Sequence, residues 1–326
     1  MILKKRVESE ELKLLKYLNA RTSLSKKDQK SLIASEKGYQ GEGMFDEWAL
    51  PLENELAFLN DLLLEHQGSI FQIDSCALAS KTIFHFEVKN FEGDYQIKNG
   101  NWISPSGEEK KDPLIQLKRT SSLIRQYTQQ LGFHYNVESY LIFINPEFYL
   151  YNAPDNPSII YHPQLNRFMN NLQSRSLKVS KSDLKLAEKL RSQHILESPY
   201  LRLPKYSFED LQKGILCPGC HGFYEAGSGV SLVCHRCGQK ELKTAAIVRT
   251  VEEFILLFPE EKLTTNKIQV MCGIISDKKV IRKALSRHFT MKGYGKHSYY
   301  LRIKQNESYR DPRTLKSAGK RSQGSF

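Results

Sequence analysis

The sequence predicts an α/β sandwich, on the evidence of three observations in its first half. Three successive segments alternate apolar and polar residues or are rich in β-branched and aromatic residues, as strands are. These segments are 69–79, 82–91 and 94–103. A helix over 113–131 follows them, with Asp112 as its cap and Pro113 in its first turn. An apolar strand segment over 137–145 completes the set, and the order helix, three strands, helix, strand is typical of this fold class.

The residues before these strands are predicted to be helical. Residues 1–35 form an N-terminal helical segment, in which a helix, a polar turn and a second helix follow one another, since Leu residues recur at helical spacing. The glycine-rich stretch GYQGEG comes next, and a further helix is predicted to begin near Glu42 and to end near Leu50. A glutamate in the first turn of that helix would favour the helix dipole.

The second half of the chain is predicted to contain further modules. Residues 151–213 form a helical connector interrupted by prolines, with one helix from Ser182 to His194. Residues 242–305 are predicted to form a winged-helix-like α+β module, in which three helices precede a glycine-turned hairpin, MKGYGKHSYYLRI. The three helices are 244–258, 264–273 and 277–290. Residues 306–326 are polar and basic, and they are predicted to be a disordered tail.

The net charge of the chain is +12, from 48 Lys and Arg residues against 36 Asp and Glu residues. Excess positive charge favours polyanionic partners, because neutralising phosphates releases condensed counterions. The charge and the domain pattern together predict a nucleic-acid partner, although a basic protein without such a partner has the same composition. No apolar run approaches the roughly 18 residues of a transmembrane helix, and the N-terminus is charged and amphipathic, unlike a signal peptide. We expect no membrane partner and a cytoplasmic location.

Four of the six cysteines stand in two CxxC pairs, CPGC and CHRC, with thirteen residues between them. This spacing predicts a tetrahedral zinc site within a small zinc ribbon over residues 214–241. The predicted ligands are Cys217, Cys220, Cys234 and Cys237. A closed set of four sulfurs leaves no position for a substrate, so the Zn²⁺ is predicted to be structural, and the ribbon to contact nucleic acid or a protein partner. The alternative is a set of reduced thiols without metal.

A cluster of charged side chains is predicted where the first two strand segments meet. In TIFHFEVKN, strand alternation places Glu87 and Lys89 on one face, opposite the apolar face, together with His85, which we expect to be exposed. Asp74 lies in the preceding strand and faces Glu87 if the two strands pair as a hairpin. Two carboxylates bind Mg²⁺ or Mn²⁺ through oxygen, and an ammonium beside them can stabilise charge that develops on a phosphoryl group. A solvated strand face with an ion pair is the alternative.

Residues 36–131 resemble the nuclease-related domain (NERD) family, a branch of the PD-(D/E)xK nuclease superfamily. The matching pieces stand in the family's order along the chain. They are GYQGEG at 38–43, FQIDSCALASKTIFHFEVKNFEG at 71–93, GNW at 100–102 and DPLIQL at 112–117. The family usually has a glycine in the turn before the E-x-K strand, where this chain has Ser80 and Lys81.

The resemblance implies a restriction-endonuclease-like core, with a mixed sheet flanked by helices, in a nuclease-like domain over residues 36–150. It also implies Mg²⁺- or Mn²⁺-dependent cleavage of DNA, with Asp74 and Glu87 as ligands of the magnesium ion. The family's acidic residue at the glycine-flanked helix start corresponds to Glu42, and the glutamine in the helix after the strands to Gln116. The catalytic set that the resemblance implies is Asp74, Glu87, Lys89, Glu42 and Gln116.

Together these features predict a metal-dependent nuclease that acts on DNA, with the zinc ribbon and the winged-helix-like module aiding nucleic-acid or partner binding. Basic residues surround the apolar stripe of the helix at 277–290, as in helices that enter the major groove, although a basic helix on a structural bundle has the same pattern. The alternative function is a non-catalytic DNA-binding or regulatory protein that retains a nuclease-like scaffold. A third is a subunit that recruits a partner in a DNA repair or defence complex.

Overall fold

The structure is a computed structural model that describes residues 1–196, 199, 201–227 and 229–302. The tail predicted over 306–326 lies outside the described residues. The chain divides into two compact units, Met1–Tyr206 and Ser207–Phe326. No helix in the described part of the chain is both long enough and apolar enough to cross a lipid bilayer.

The first unit is a mixed α/β structure. Its helices are α1 (Glu10–Arg21), α2 (Lys26–Ala49), α3 (Pro113–Gln130), α4 (Leu165–Ser174) and α5 (Lys181–Ser192). Its strands are β1 (Ile2–Lys4), β2 (Ala57–His66), β3 (Ser69–Ala79), β4 (Thr82–Lys89), β5 (Gly93–Lys98), β6 (Asn101–Ile103), β7 (Glu109–Lys110), β8 (Asn136–Phe143), β9 (Phe148–Tyr151) and β10 (Ile159–Tyr161). The strands predicted at 69–79 and 82–91, the helix at 113–131 and the strand at 137–145 are confirmed as β3, β4, α3 and β8, apart from one or two terminal residues.

The central sheet of the first unit has six strands in the order β1-β2-β3-β4-β8-β10. The strands β2, β3 and β4 pair antiparallel through tight turns, whereas β4 pairs parallel with β8. A parallel pair needs a crossover, and α3 supplies it. Apolar residues from α2 and α4 pack on one face of this sheet, and residues from α3 and α5 pack on the other. The mixed sheet flanked by helices that was predicted is therefore confirmed.

The turn between β3 and β4 contains Ser80 and Lys81 instead of the family's glycine. Both residues have positive φ, 49° and 56°, as a type I′ hairpin turn requires. The backbone N–H groups of both residues are bonded, to the Lys178 carbonyl oxygen and to Asp183 Oδ1 respectively. These contacts hold a two-residue turn without glycine, so the E-x-K strand starts in the expected register.

The N-terminal region differs from its prediction. Residues 2–4 form the edge strand β1, and the first helix begins only after Ser9, whose hydroxyl accepts a hydrogen bond from the Leu12 N–H. The helix that was predicted to begin near Glu42 begins instead at Lys26 and continues as α2 through all three glycines of GYQGEG. Those glycines were interpreted as a helix break, which was wrong. Gly41 serves helix packing, since a Cβ there would lie 2.4 Å from the Cβ of Asn90, just after β4.

Residues 151–213, predicted to be a helical connector, contribute structure to the first unit. The strand β10 joins the central sheet beside β8, and α4 covers the face that includes Phe86 and Ile142. The helix predicted from Ser182 to His194 is confirmed as α5, within one or two residues. A second sheet, in the order β7-β6-β5-β9, extends from the ends of β4 and β8.

The second unit combines short hairpins with helices around one core. Its strands are β11 (Ser231–Val233), β12 (Lys240–Leu242), β13 (Phe289–Lys292) and β14 (Tyr299–Arg302), and its helices are α6 (Lys243–Leu257), α7 (Thr265–Cys272) and α8 (Lys278–His288). The three helices and the final hairpin agree with the predicted elements. Cys217 and Cys234 belong to the same buried cluster as Ile247 of α6 and Ile281 of α8, so the cysteine segment and the helices share their core.

Candidate metal centres

The β3–β4 hairpin brings Asp74 and Glu87 together. The strands pair antiparallel with Ser75 opposite Phe86, so the next positions along the two strands are those of Asp74 and Glu87. The Asp74 carboxylate takes the place of a ladder carbonyl, because its Oδ2 accepts a hydrogen bond of 2.9 Å from the Val88 N–H. The pairing that the sequence analysis required is present.

Glu87, Lys89 and Gln116 form a connected set beside Asp74. The Glu87 side chain is 0% exposed, and its Oε1 lies 2.5 Å from the Lys89 Nζ. Lys89, whose side chain is 19% exposed, also donates to the Oε1 of Gln116 on α3, at 3.2 Å. Among the described residues, the other carboxylate oxygen, Glu87 Oε2, is buried without a hydrogen-bond partner, although the Gln116 side chain lies close enough to the carboxylate to oppose the rise in its pKa. A buried oxygen without a donor is costly unless a ligand satisfies it.

The charges of this set are out of balance. Burial and then the charge of Asp74 raise the pKa of Glu87 to about 7. Burial also raises the pKa of Asp74, although Lys89 and the Val88 N–H oppose the shift. The pKa of Lys89 is raised because the two carboxylates outweigh its burial. Two buried carboxylates against one ammonium leave a negative site that fits a divalent cation, and oxygen ligands are those that Mg²⁺ and Mn²⁺ prefer.

The donor set stops at two carboxylates. Within the described residues, no third His, Cys, Asp or Glu completes with Asp74 and Glu87 a group whose ligand atoms all lie within 4.8 Å of one another. Mg²⁺ usually retains several waters and takes few protein ligands, so two carboxylates are sufficient for it.

Glu42 is held by a residue that the sequence analysis did not identify. It lies in the middle of α2, and its Oε2 accepts a hydrogen bond from the Arg6 Nη1. Burial and then the charge of Asp74 raise the pKa of Glu42 to about 8, against the opposing charge of Arg6. Arg6 was missed because residues 1–18 were interpreted as one amphipathic helix. Ser9 as a cap, followed by Glu10 and Glu11, was the available signal that the helix begins later.

His85 is fully buried, which contradicts the expected exposed position. It lies between β3 and β8, with its Nδ1 3.2 Å from the Ser139 Oγ. Burial, with a smaller contribution from Lys89, lowers the pKa of His85 to about 3, so the ring is neutral. Parallel pairing with β8 and the cover of α3 bury both faces of β4, which a half-exposed strand pattern does not predict.

The four cysteines of the second unit form a compact cluster. Their four sulfur atoms all lie within 4.8 Å of one another. Cys217 Sγ lies 3.6 Å from Cys237 Sγ, and Cys220 Sγ lies 3.5 Å from Cys234 Sγ. Zn–S bonds of about 2.3 Å in a tetrahedron place sulfurs about 3.8 Å apart, so this cluster can hold a zinc ion.

The backbone around the cysteines forms two tight turns. The His221 N–H donates to the Cys217 carbonyl oxygen, and the Gly238 N–H donates to the Cys234 carbonyl oxygen. His221 and Gly238 both have positive φ, 54° and 75°. Although burial opposes it, hydrogen bonds from the Gly219 and Cys220 N–H groups lower the pKa of Cys217 to about 6. A lowered thiol pKa favours the thiolate form that binds metal.

The two cysteines outside the CxxC pairs are core thiols, since Cys76 and Cys272 are both 0% exposed. Burial raises the pKa of Cys76 to about 12, so this thiol stays protonated. Neither residue belongs to the four-sulfur cluster.

Comparison with known proteins supports the resemblance found in the sequence. Residues 37–144 match the family model described as the nuclease-related domain. This segment includes Glu42, Asp74, Glu87, Lys89 and Gln116, and it lies wholly within the first unit. No curated protein and no solved structure matches the chain.

Proposed function

We propose that this protein is a divalent-metal-dependent nuclease that cleaves phosphodiester bonds in DNA. The observation that carries the proposal is the buried pair of Asp74 and Glu87, in which Glu87 Oε2 has no partner and Lys89 is the only ammonium bonded to the pair among the described residues. The match of residues 37–144 to the nuclease-related domain supports the same reaction class.

Each side chain of the site has a distinct role in this proposal. Asp74 and Glu87 would hold Mg²⁺ or Mn²⁺ through their free oxygens, and a metal held there would supply positive charge for the phosphoryl group and for activation of a water. Lys89 places positive charge beside the oxygen on which negative charge develops, and Gln116 restrains the Lys89 ammonium through its hydrogen bond. Glu42 on α2, held by Arg6, would add negative charge to the same site when its carboxyl group is ionised.

The second unit is proposed to be a nucleic-acid-binding module with a structural zinc ion held by the four cysteines. The exposed side of α8 is basic, whereas Ile281, Ala284 and Leu285 form its buried side. The exposed basic residues are Lys278, Lys279, Arg282, Lys283, Arg287 and His288. Within the described residues, none of these lysines and arginines forms an ion pair with a carboxylate, which leaves their charge available for phosphates.

The same helix favours a second candidate function, a DNA-binding protein that does not cleave. A helix preceding an antiparallel hairpin is the arrangement in which a helix enters the major groove while the hairpin contacts the backbone. The hairpin of β13 and β14 is exposed at its turn, where Tyr294 is 92% exposed. In this second function the Asp74–Glu87 pair is a remnant of the scaffold and has no reaction to perform.

Cleavage assays with linear, circular and single-stranded DNA, each with Mg²⁺, Mn²⁺ or EDTA, separate the two functions. We expect cleavage that requires the metal and falls by about 10²-fold or more in Lys89→Ala, because charge stabilisation in the transition state is lost. Lys27→Ala is the matched control, since Lys27 is exposed in the first turn of α2, about four turns of helix before Glu42. It should cleave like the wild-type protein.

The binding arm of the experiment uses the same DNA at increasing salt. Salt-sensitive binding without cleavage under any condition would favour the second function. Loss of that binding in a variant with Arg282→Gln and Lys283→Gln would assign it to α8. Protein that neither binds nor cleaves would exclude both functions.

A further inference from the structure

The pairing of β2 with β3 is irregular at the point where it presents Asp74. The paired positions pass from Asn60 and Ser75 directly to Leu62 and Ile73, so Asp61 and Asp74 are not paired with each other. Asp61 has a positive φ of 54°, which is unusual for a residue other than glycine. Side chains of a regular strand alternate between its two faces, so residues three apart point to opposite faces. Leu59 and Leu62 of β2 nevertheless enter the same core cluster, which shows that the alternation shifts by one residue between them.

At this irregularity, side chains of the N-terminal segment donate hydrogen bonds to backbone carbonyl groups. The Lys4 Nζ donates to the carbonyl oxygens of Asn60 and Asp61, at 2.9 and 2.7 Å. The Arg6 Nη2 donates to the Asp74 carbonyl oxygen, at 2.9 Å. Two side chains from one short segment thus bond both strands of the irregular stretch, and charged donors to buried carbonyls make strong hydrogen bonds.

Arg6 also joins this stretch to α2. Its guanidinium binds Asp46 through two atoms, with Nε 2.9 Å from Oδ2 and Nη2 3.0 Å from Oδ1, and it bonds Glu42 as well. The Arg6 side chain is only 4% exposed. A planar guanidinium with several fixed donors can hold a carboxylate and a carbonyl at once, which a lysine in its place cannot reproduce.

We infer that Lys4 and Arg6 are positioning residues that fix the Asp74 carboxylate for metal binding. The inference rests on the proposed function for its metal, but its geometric part concerns Asp74 alone. Both residues lie outside the matched segment 37–144, so the site is completed by a part of the chain that the family model does not include.

The direction of the Asp74 side chain depends on how firmly its backbone is held. An irregular strand position has more freedom than a paired one, because the ladder no longer fixes its backbone. With its carbonyl bonded to Arg6, Asp74 presents its carboxylate toward Val88, whose N–H it accepts at 2.9 Å. A ligand oxygen displaced by a fraction of an ångström loses metal affinity, and residues that orient ligands typically account for about 10- to 100-fold.

The test uses the variants Lys4→Met, Arg6→Met and Arg6→Lys of the full-length protein. Lys5→Met is the matched control, because Lys5 lies between the two residues in sequence and is exposed. We expect Mn²⁺ affinity, measured by calorimetry, to fall by about 10- to 100-fold in Arg6→Met and Lys4→Met, with a smaller loss in Arg6→Lys. The kcat of cleavage should fall while KM for DNA stays near the wild-type value.

Amide hydrogen exchange at Val88 provides a readout that needs neither metal nor activity. It should accelerate locally in the Lys4 and Arg6 variants and stay unchanged in Lys5→Met. Unchanged exchange at Val88 in folded variants, or an equal acceleration throughout the chain, would overturn the positioning role. If the wild-type protein binds no Mn²⁺ and cleaves nothing, the proposed function fails. Amide exchange at Val88 still decides whether Lys4 and Arg6 position the Asp74 carboxylate. If Arg6→Met does not fold, Arg6→Lys decides it.

Discussion

The carboxylate site of the first unit and the cysteine site of the second are assembled in different ways. Asp74, Glu87 and Gln116 come from three separate elements, and sheet register together with the packing of α3 brings them together. The four cysteines come from two tight turns within 21 consecutive residues, Cys217 to Cys237. The first site therefore depends on the packing of a sheet against helices, whereas the second is formed by two local turns, from which Cys217 and Cys234 also enter the core of the second unit.

The two sites also differ in how far their folding depends on the metal that they can hold. In the first, apolar layers on both faces of the sheet fix the carboxylates, and a metal would relieve repulsion that the fold already tolerates. In the second, the strands β11 and β12 have only three residues each, so the two cysteine turns need an ion to hold them together, although Cys217 and Cys234 pack against the helices. The comparison predicts that metal removal leaves the first unit folded and unfolds the cysteine segment.

Zinc removal should produce the largest effect. Structural zinc contributes about 10–16 kcal/mol to the folding of small modules, so chelation or Cys234→Ser should unfold the segment around the four cysteines. Zinc content and limited proteolysis measure this change, and cleavage sites should appear between residues 217 and 240. Melting of the first unit should not shift.

Cys76→Ala is the control for the loss of a cysteine. Cys76 is buried in the first unit and lies outside the cluster, so this variant should retain its zinc. Full zinc retention in Cys234→Ser, or a cysteine segment that resists proteolysis in chelator, would show that the two sites do not differ in this respect.

The pH dependence of stability tests whether the first unit stays folded without metal while its carboxylates repel each other. The pKa of Glu87 is raised from 4.5 to about 7 and that of Glu42 from 4.5 to about 8, so the folded state holds more protons than the unfolded state in this range. The free energy of unfolding in EDTA should therefore fall by a few kcal/mol as pH rises from about 4.5 to 8. Mg²⁺ should raise the Tm more at the upper end of this range than at the lower end.

Glu87→Gln should flatten this pH dependence, because it removes one of the two repelling charges. Glu188→Gln is the matched control, since Glu188 is exposed on α5, where it pairs with Arg191, and lies outside the carboxylate site. Its pH profile should equal that of the wild-type protein. A Tm in EDTA that rises between about pH 5 and pH 8 would mean that the carboxylates are stabilised as anions without metal.

The same contrast explains how much the sequence could predict. The four-cysteine cluster could be predicted from spacing alone, because the cysteines lie close together in sequence. Asp74 and Glu87 were predicted together because strand alternation and a hairpin turn are also local rules. Arg6 could not be predicted in this way, since its partners Glu42, Asp46 and Asp74 lie 36 to 68 residues away along the chain. The burial of His85 depends on β8, which is equally distant in sequence.

The glycines of α2 give the smallest expected effect, and they test how closely α2 must approach the carboxylate site. A Cβ at Gly41 would lie 2.4 Å from the Asn90 Cβ, next to Lys89, whereas a Cβ at Gly43 meets nothing within 4 Å. Gly41→Ala should lower the free energy of unfolding by about 1–3 kcal/mol through overpacking. Gly43→Ala should raise it by about 0.5–1 kcal/mol, because alanine favours the helix interior. Denaturant titration measures both changes, and opposite signs within one helix separate packing from helix propensity. Equal stabilisation by both substitutions would show that α2 and Asn90 can move apart, and the carboxylate site would then be less rigid than its contacts indicate.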